Sequence, residues 1–130
     1  MNNNMKSIYI IEHLEPKLFG VGLGIYMFPP HLLKKYRDVV SNSASAKELH
    51  QIIRSLEKKG YTIGGKKYKK TPKGYDPNTL YPGYLLYDGI YAWYEGNDFK
   101  KIDGGKAVLV IFKIFKDMLP LHKWLVKNLF

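Results

Sequence analysis

The sequence predicts an α+β domain, a small and mostly antiparallel sheet packed with a helical hairpin and C-terminal helices. Three observations carry this. Strand-like runs rich in β-branched and aromatic residues lie near residues 7–14, 20–27 and 89–95. Apolar residues at helical spacing fill most of 30–59 and 105–129, and Gly or Pro stands at the junctions. A chain of 130 residues is the length of one domain and buries roughly two-thirds of its unfolded surface. The expected layout is a disordered start over residues 1–6, then a single α+β domain over residues 7–130.

Ser7 to Leu14 reads as a strand that Pro16 ends. Residues 20–27 have a period of two, with Gly20, Gly22 and Gly24 on one face and Val21, Leu23, Ile25 and Met27 on the other. The glycine spacing differs from a dinucleotide fingerprint, and Pro29-Pro30 stands where that motif needs a running helix. A strand with one bare face predicts an aromatic ring or another backbone lying close over it. Pro30 suits the first turn of a helix carrying Leu32, Leu33, Tyr36, Val39 and Val40. Ser41-Asn42-Ser43 breaks it. Ser45 is expected to cap a second helix with Ala46, Leu49, Ile52, Ile53 and Leu56 on one face and Gly60 as its stop.

Tyr61 to Ile63 predicts a short strand, and Gly64-Gly65 a turn into the segment that follows. Pro72, Gly74 and Pro77 keep residues 71–78 irregular. Residues 79–87 predict a short helix modified by Pro82, and residues 89–95 an aromatic strand. Asn97, Asp98 or Asp103 is available to cap a helix bearing Val108, Leu109, Ile111, Phe112 and Phe115. Met118-Leu119-Pro120 is expected to interrupt it before a separate amphipathic C-terminal helix.

There are no cysteines, which excludes disulfides, thiolate metal sites and a Cys nucleophile, and fits a cytoplasmic protein. No membrane span is expected, and the apolar run Ile8–Ile11 is too short for a span or signal sequence. The formal net charge is +10, with 21 Lys and Arg against 11 Asp and Glu. Such an excess favours anionic partners, nucleic acid or phosphate-bearing ligands. Only Arg37 and Arg54 are arginines, so the charge pattern argues for diffuse attraction over base-specific readout.

The densest charge lies in "GGKKYKKTPKGYDP", residues 64–77. Lys66, Lys67, Lys69, Lys70 and Lys73 are candidate anion ligands, with Gly64, Gly65 and Gly74 able to bring backbone N–H groups to an oxyanion. It is not a P-loop, because the spacing of that motif is absent. Tyr68, Tyr75 and Tyr84, with Tyr81 and Tyr87 nearby, are candidates for stacking or for lining a groove. The same rings also serve as ordinary packing residues.

His13, His31, His50 and His122 share no metal-ligand spacing, so neither metal nor cofactor is expected. His13 and His122 are the weak candidates for a general base. The carboxylates are scattered, and Asp76 is placed to close its own turn before Pro77. These features favour a non-enzymatic binding or assembly module. The alternatives are a small hydrolase or nuclease-like enzyme using a His beside the lysines, and a structural interaction protein without a ligand.

Four stretches, "FGVGLGIYMFPPHLLKKYRDVV", "GYTIGGKKYKKTPKGYDP", "LYPGYLLYDGIYA" and "IFKIFKDMLPLHKWLVKNL", together resemble the C-terminal part of the family known as domain of unknown function 2461. The resemblance implies the fold and the position of a site, without an activity. Lys69-Lys70-Thr71-Pro72 departs from the Lys-Arg that usually precedes this Pro in the family. The family's long upstream half also has no counterpart here, which implies an exposed apolar surface covered by a second copy of the chain or by another polypeptide.

Overall fold

The computed structural model describes residues 9–14, 19–96 and 104–130, with side chains from 21–94, 105–106 and 108–130. Its elements are β1 (Tyr9–Leu14), β2 (Phe19–Ile25), α1 (Pro30–Ser41), α2 (Ser43–Lys58), β3 (Thr62–Lys66), a 3-10 helix (Pro82–Leu86), β4 (Tyr87–Gly96) and α3 (Gly104–Leu129). This is an α+β architecture. The four strands form one antiparallel sheet in the order β1-β2-β4-β3. The expected disordered start and the candidate caps Asn97, Asp98 and Asp103 lie outside the described residues.

The period-two pattern of β2 decides which face is covered. Val21, Leu23 and Ile25 are buried and join Ile90 and Ala92 of β4 in the core. On the other face a side chain at Gly22 would collide with the Trp93 ring at 2.6 Å. One at Gly24 would meet the Tyr91 backbone at 2.5 Å. The bare face therefore accommodates aromatic β4 residues lying across it. The core is completed by Leu32, Tyr36 and Val40 of α1, Leu49, Ile53 and Leu56 of α2, and Ile114, Met118, Leu121 and Leu125 of α3.

Pro30 occupies the first turn of α1, where its missing N–H is not needed. Asn42 joins α1 to α2. Its N–H donates to the Val39 carbonyl, and its Oδ1 accepts from the N–H groups of Ala44 at 3.0 Å and Ser45 at 3.2 Å. The cap of α2 is thus Asn42 and not Ser45, because the side chain that reaches the free N–H groups is the one preceding the first turn. Gly60, at φ +96°, ends the helix with a turn in which Tyr61 N–H returns to the Leu56 carbonyl.

Three further expectations are corrected. Gly64-Gly65 does not form a turn but lies within β3, where a register irregularity falls between Gly64 and Lys66. Residues 82–86 form a 3-10 helix in place of a longer helix over 79–87, with Pro82 at its start. Pro120 does not divide the C-terminal region. One helix runs from Gly104 to Leu129 with Pro120 inside it, and the buried residues Ile114, Met118, Leu121 and Leu125 keep one continuous face on the core across the proline. Among the described residues, no helix is long and apolar enough to cross a membrane.

Candidate functional site

The lysine segment leaves β3 and is fastened to the body of the domain at several points. The N–H groups of Lys67 and Tyr68 both donate to the Leu86 carbonyl at 2.9 Å. The half-buried Tyr68 ring has the Arg37 guanidinium 5.5 Å from its centroid and the Lys67 ammonium at 5.6 Å, within cation–π range. Tyr75 donates its phenolic hydrogen to Asp38 Oδ1 at 2.8 Å. Asp76 closes its own turn, its Oδ1 accepting from Asn78 N–H at 2.8 Å.

The cations of the segment divide into two kinds. Lys67 pairs with Asp88 at 3.5 Å. Lys66, Lys69, Lys70 and Lys73 are exposed and have no ion pair among the described residues. The glycines are placed by different constraints. A side chain at Gly64 would strike the Tyr91 ring, and one at Gly65, already at φ +113°, would strike the Gly89 backbone. Gly74, at φ +91°, has open space around it and is required only by its backbone turn.

Lys66 also borders a cleft of about 360 Å³ between α2 and the 3-10 helix. Aromatic rings make one wall. Tyr81 stacks on His50 with 4.2 Å between ring centroids and 19° between planes. Tyr84 meets His50 edge-on at 5.9 Å, and Tyr87 lies 5.8 Å from Tyr84. His50 Nδ1 and the Tyr84 hydroxyl are 2.9 Å apart. Burial holds the Tyr84 phenol far above its ordinary pKa, aided by the negative charges of nearby groups, so it is neutral at physiological pH. Arg54 and Glu57 of α2 line the same cleft.

Of the expected site residues, the structure brings Lys66 and Tyr84 to this cleft, while Lys69, Lys70 and Lys73 extend the charge along the segment. Tyr68 and Tyr75 are committed to Arg37 and Asp38. His13 belongs to β1, across β2 and β4 from β3, so its backbone is roughly 14 Å from that of β3 at ordinary strand spacing. Its side chain lies outside the described residues. His122 is half-buried on α3, with Nδ1 buried and without a hydrogen-bond partner among the described residues. The histidine beside Lys66 is His50. No group of three or more His, Asp or Glu among the described residues is placed to hold a metal ion.

A second groove, between α2 and α3, is lined by Lys59, Asp117, Trp124 and Lys127. Several of its charges are mutually engaged. Lys59 pairs with Asp117 at 3.7 Å, Lys127 with Glu48 at 3.5 Å, and Tyr61 donates to Asp117 at 2.7 Å.

The sequence profile of the family described as "Conserved hypothetical protein (DUF2461)" matches residues 2–124. The chain belongs to this family. The match takes in nearly the whole chain, so it supports membership and not the finer restriction to a C-terminal part. No curated protein matches the chain. Among solved structures, an uncharacterized protein from Methanothermobacter thermautotrophicus is similar at 9% identity and a TM-score of 0.49, over 88% of this chain and 67% of that one.

Proposed function

We propose that this chain is a non-enzymatic binding or assembly module of the cytoplasm that engages an anionic partner, phosphate-bearing or nucleic acid, through its lysine segment. The observation that carries the reading is the set of exposed lysines, Lys66, Lys69, Lys70 and Lys73, without ion pairs among the described residues. Uncompensated cations on one segment raise the local concentration of polyanions, and binding releases their counterions. Lysines without a guanidinium partner suit contacts to phosphate more than to bases. The absence of cysteine fits a reducing compartment.

The cleft supports binding over hydrolysis. His50 has a phenol as its hydrogen-bond partner, whereas a histidine general base is usually oriented by a carboxylate. Assembly is supported separately by α3, where Val108, Leu109 and Phe112 are 64–71% exposed. A second copy or another polypeptide covering that stripe would remove apolar surface from water.

Fluorescence anisotropy with a labelled single-stranded oligonucleotide across a salt series tests the anion-binding reading. Affinity is expected to fall steeply with salt and to be largely lost when Lys66, Lys69, Lys70 and Lys73 are replaced by Ala. Absence of binding at low salt, or binding indifferent to these substitutions, would refute it.

A further inference from the structure

We infer that the cleft between α2 and the 3-10 helix binds a small planar aromatic ligand carrying a phosphate, of the nucleoside monophosphate class. This rests on the anion-binding reading only through Lys66, which belongs to both the lysine segment and the cleft.

The aromatic wall is rigid before any ligand arrives. Tyr36 donates to the Tyr84 carbonyl at 2.8 Å, fixing the backbone of the 3-10 helix against α1. Tyr84 in turn holds His50 through the 2.9 Å hydrogen bond, and Tyr81 stacks on the imidazole. A preorganised wall of this kind gives a planar ring a surface without the entropy cost of ordering it.

The polar groups fit a phosphate and a second, neutral function. Arg54 from α2 and Lys66 from β3 supply cationic donors from two elements, while Glu57 supplies an acceptor. A nucleoside monophosphate uses all three kinds of group: the base on the rings, the phosphate on Arg54 and Lys66, and a sugar hydroxyl or exocyclic amine on Glu57. Inorganic phosphate would leave the rings and Glu57 unused. The volume, about 360 Å³, lies in the lower part of the range for small-ligand sites. Lys69, Lys70 and Lys73 do not line this cleft, so the two sites are separable by substitution.

Isothermal titration calorimetry with adenosine monophosphate and, separately, inorganic phosphate at low salt tests the assignment. Arg54 and Lys66 are both exposed, so the Arg54→Ala/Lys66→Ala variant is expected to fold, which circular dichroism checks. Saturable binding of the nucleotide is expected, weakened at least about tenfold in that variant and by roughly as much when phosphate replaces the nucleotide. The Lys69→Ala/Lys70→Ala/Lys73→Ala variant is expected to keep nucleotide affinity within about twofold while losing oligonucleotide affinity. No saturable nucleotide binding, equal affinity for phosphate, or no loss in the Arg54/Lys66 variant would each overturn the site. Oligonucleotide binding that survives without nucleotide binding would sink the cleft assignment alone; nucleotide binding without oligonucleotide binding would sink the lysine-segment reading alone.

Discussion

Tyr61 donates its phenolic hydrogen to Asp117 at 2.7 Å, joining the residue before β3 to the middle of α3. Lys59 and Lys113 complete the surroundings of the same carboxylate, at 3.7 and 3.3 Å. Asp117 is held below the usual carboxylate pKa, chiefly by the Tyr61 hydrogen bond and then by the lysines. Tyr61→Phe is therefore expected to destabilise the fold by about 2 kcal/mol. The depressed pKa adds stability that is fully present above about pH 4, the unfolded value, and is lost as pH falls through the folded value. Urea unfolding between neutral and acid pH should show a shallower acid decline in the variant. An unchanged acid decline would contradict this role for Tyr61.

Tyr36 is fully buried and Tyr84 nearly so, and burial raises both phenol pKa values well above the ordinary range. The protonated form is favoured in the folded state, so the contribution is intact below about pH 10 and is lost as pH rises beyond it. Phenolate absorbance from these residues is expected to appear together with the loss of circular dichroism, not before it.

Gly65 and Gly74 both have positive φ, but only Gly65 also faces backbone at close range. Gly74→Ala is expected to cost about 1 kcal/mol, from strain alone. Gly65→Ala should cost more than Gly74→Ala and loosen the pairing of β3 with β4. Hydrogen exchange of the β3 amides and denaturant midpoints compare the two variants directly.

Pro120 lies exposed within α3. It removes one helical hydrogen bond and crowds the carbonyl one turn earlier, an arrangement that generally costs about 3 kcal/mol. Pro120→Ala is expected to raise stability by about 1–3 kcal/mol, read as a higher denaturation midpoint. A lower midpoint would mean that the proline ring contributes packing in the adjoining groove that outweighs the missing bond.

The apolar stripe of α3 yields a separate test of assembly. If a second copy covers it, Leu109→Glu/Phe112→Glu should lower the apparent mass in light scattering at high protein concentration, without changing the secondary structure. A wild-type chain that remains monomeric there would rule out self-association through the stripe.

Much of this fold was legible because its strongest signals were local. The alternation of Gly20 to Ile25, the Pro30 helix start and the Gly60 stop each follow from backbone or burial constraints within a few residues. Pro120 was misleading because its local penalty competes with burial of Ile114, Met118, Leu121 and Leu125 on one face, and burial over several turns wins. The cleft needed tertiary information, since His50 and Arg54 become neighbours of Lys66 only when α2 meets the sheet edge. Two traces of it were present. Tyr81, Tyr84 and Tyr87 recur every three residues, the period of a 3-10 helix, and His50, Arg54 and Glu57 recur at helical spacing.

The rim of the sheet formed by Thr62–Lys66 is short and irregular, and it runs directly into the lysines. Such a rim is a poor template for another chain's strand, because the ladder loses its register after a few residues and two like rims repel. Edge-to-edge pairing of β3 is thereby disfavoured. The lysine charge opposes such pairing through like-charge repulsion, and substitutions that neutralise it are expected to weaken that opposition.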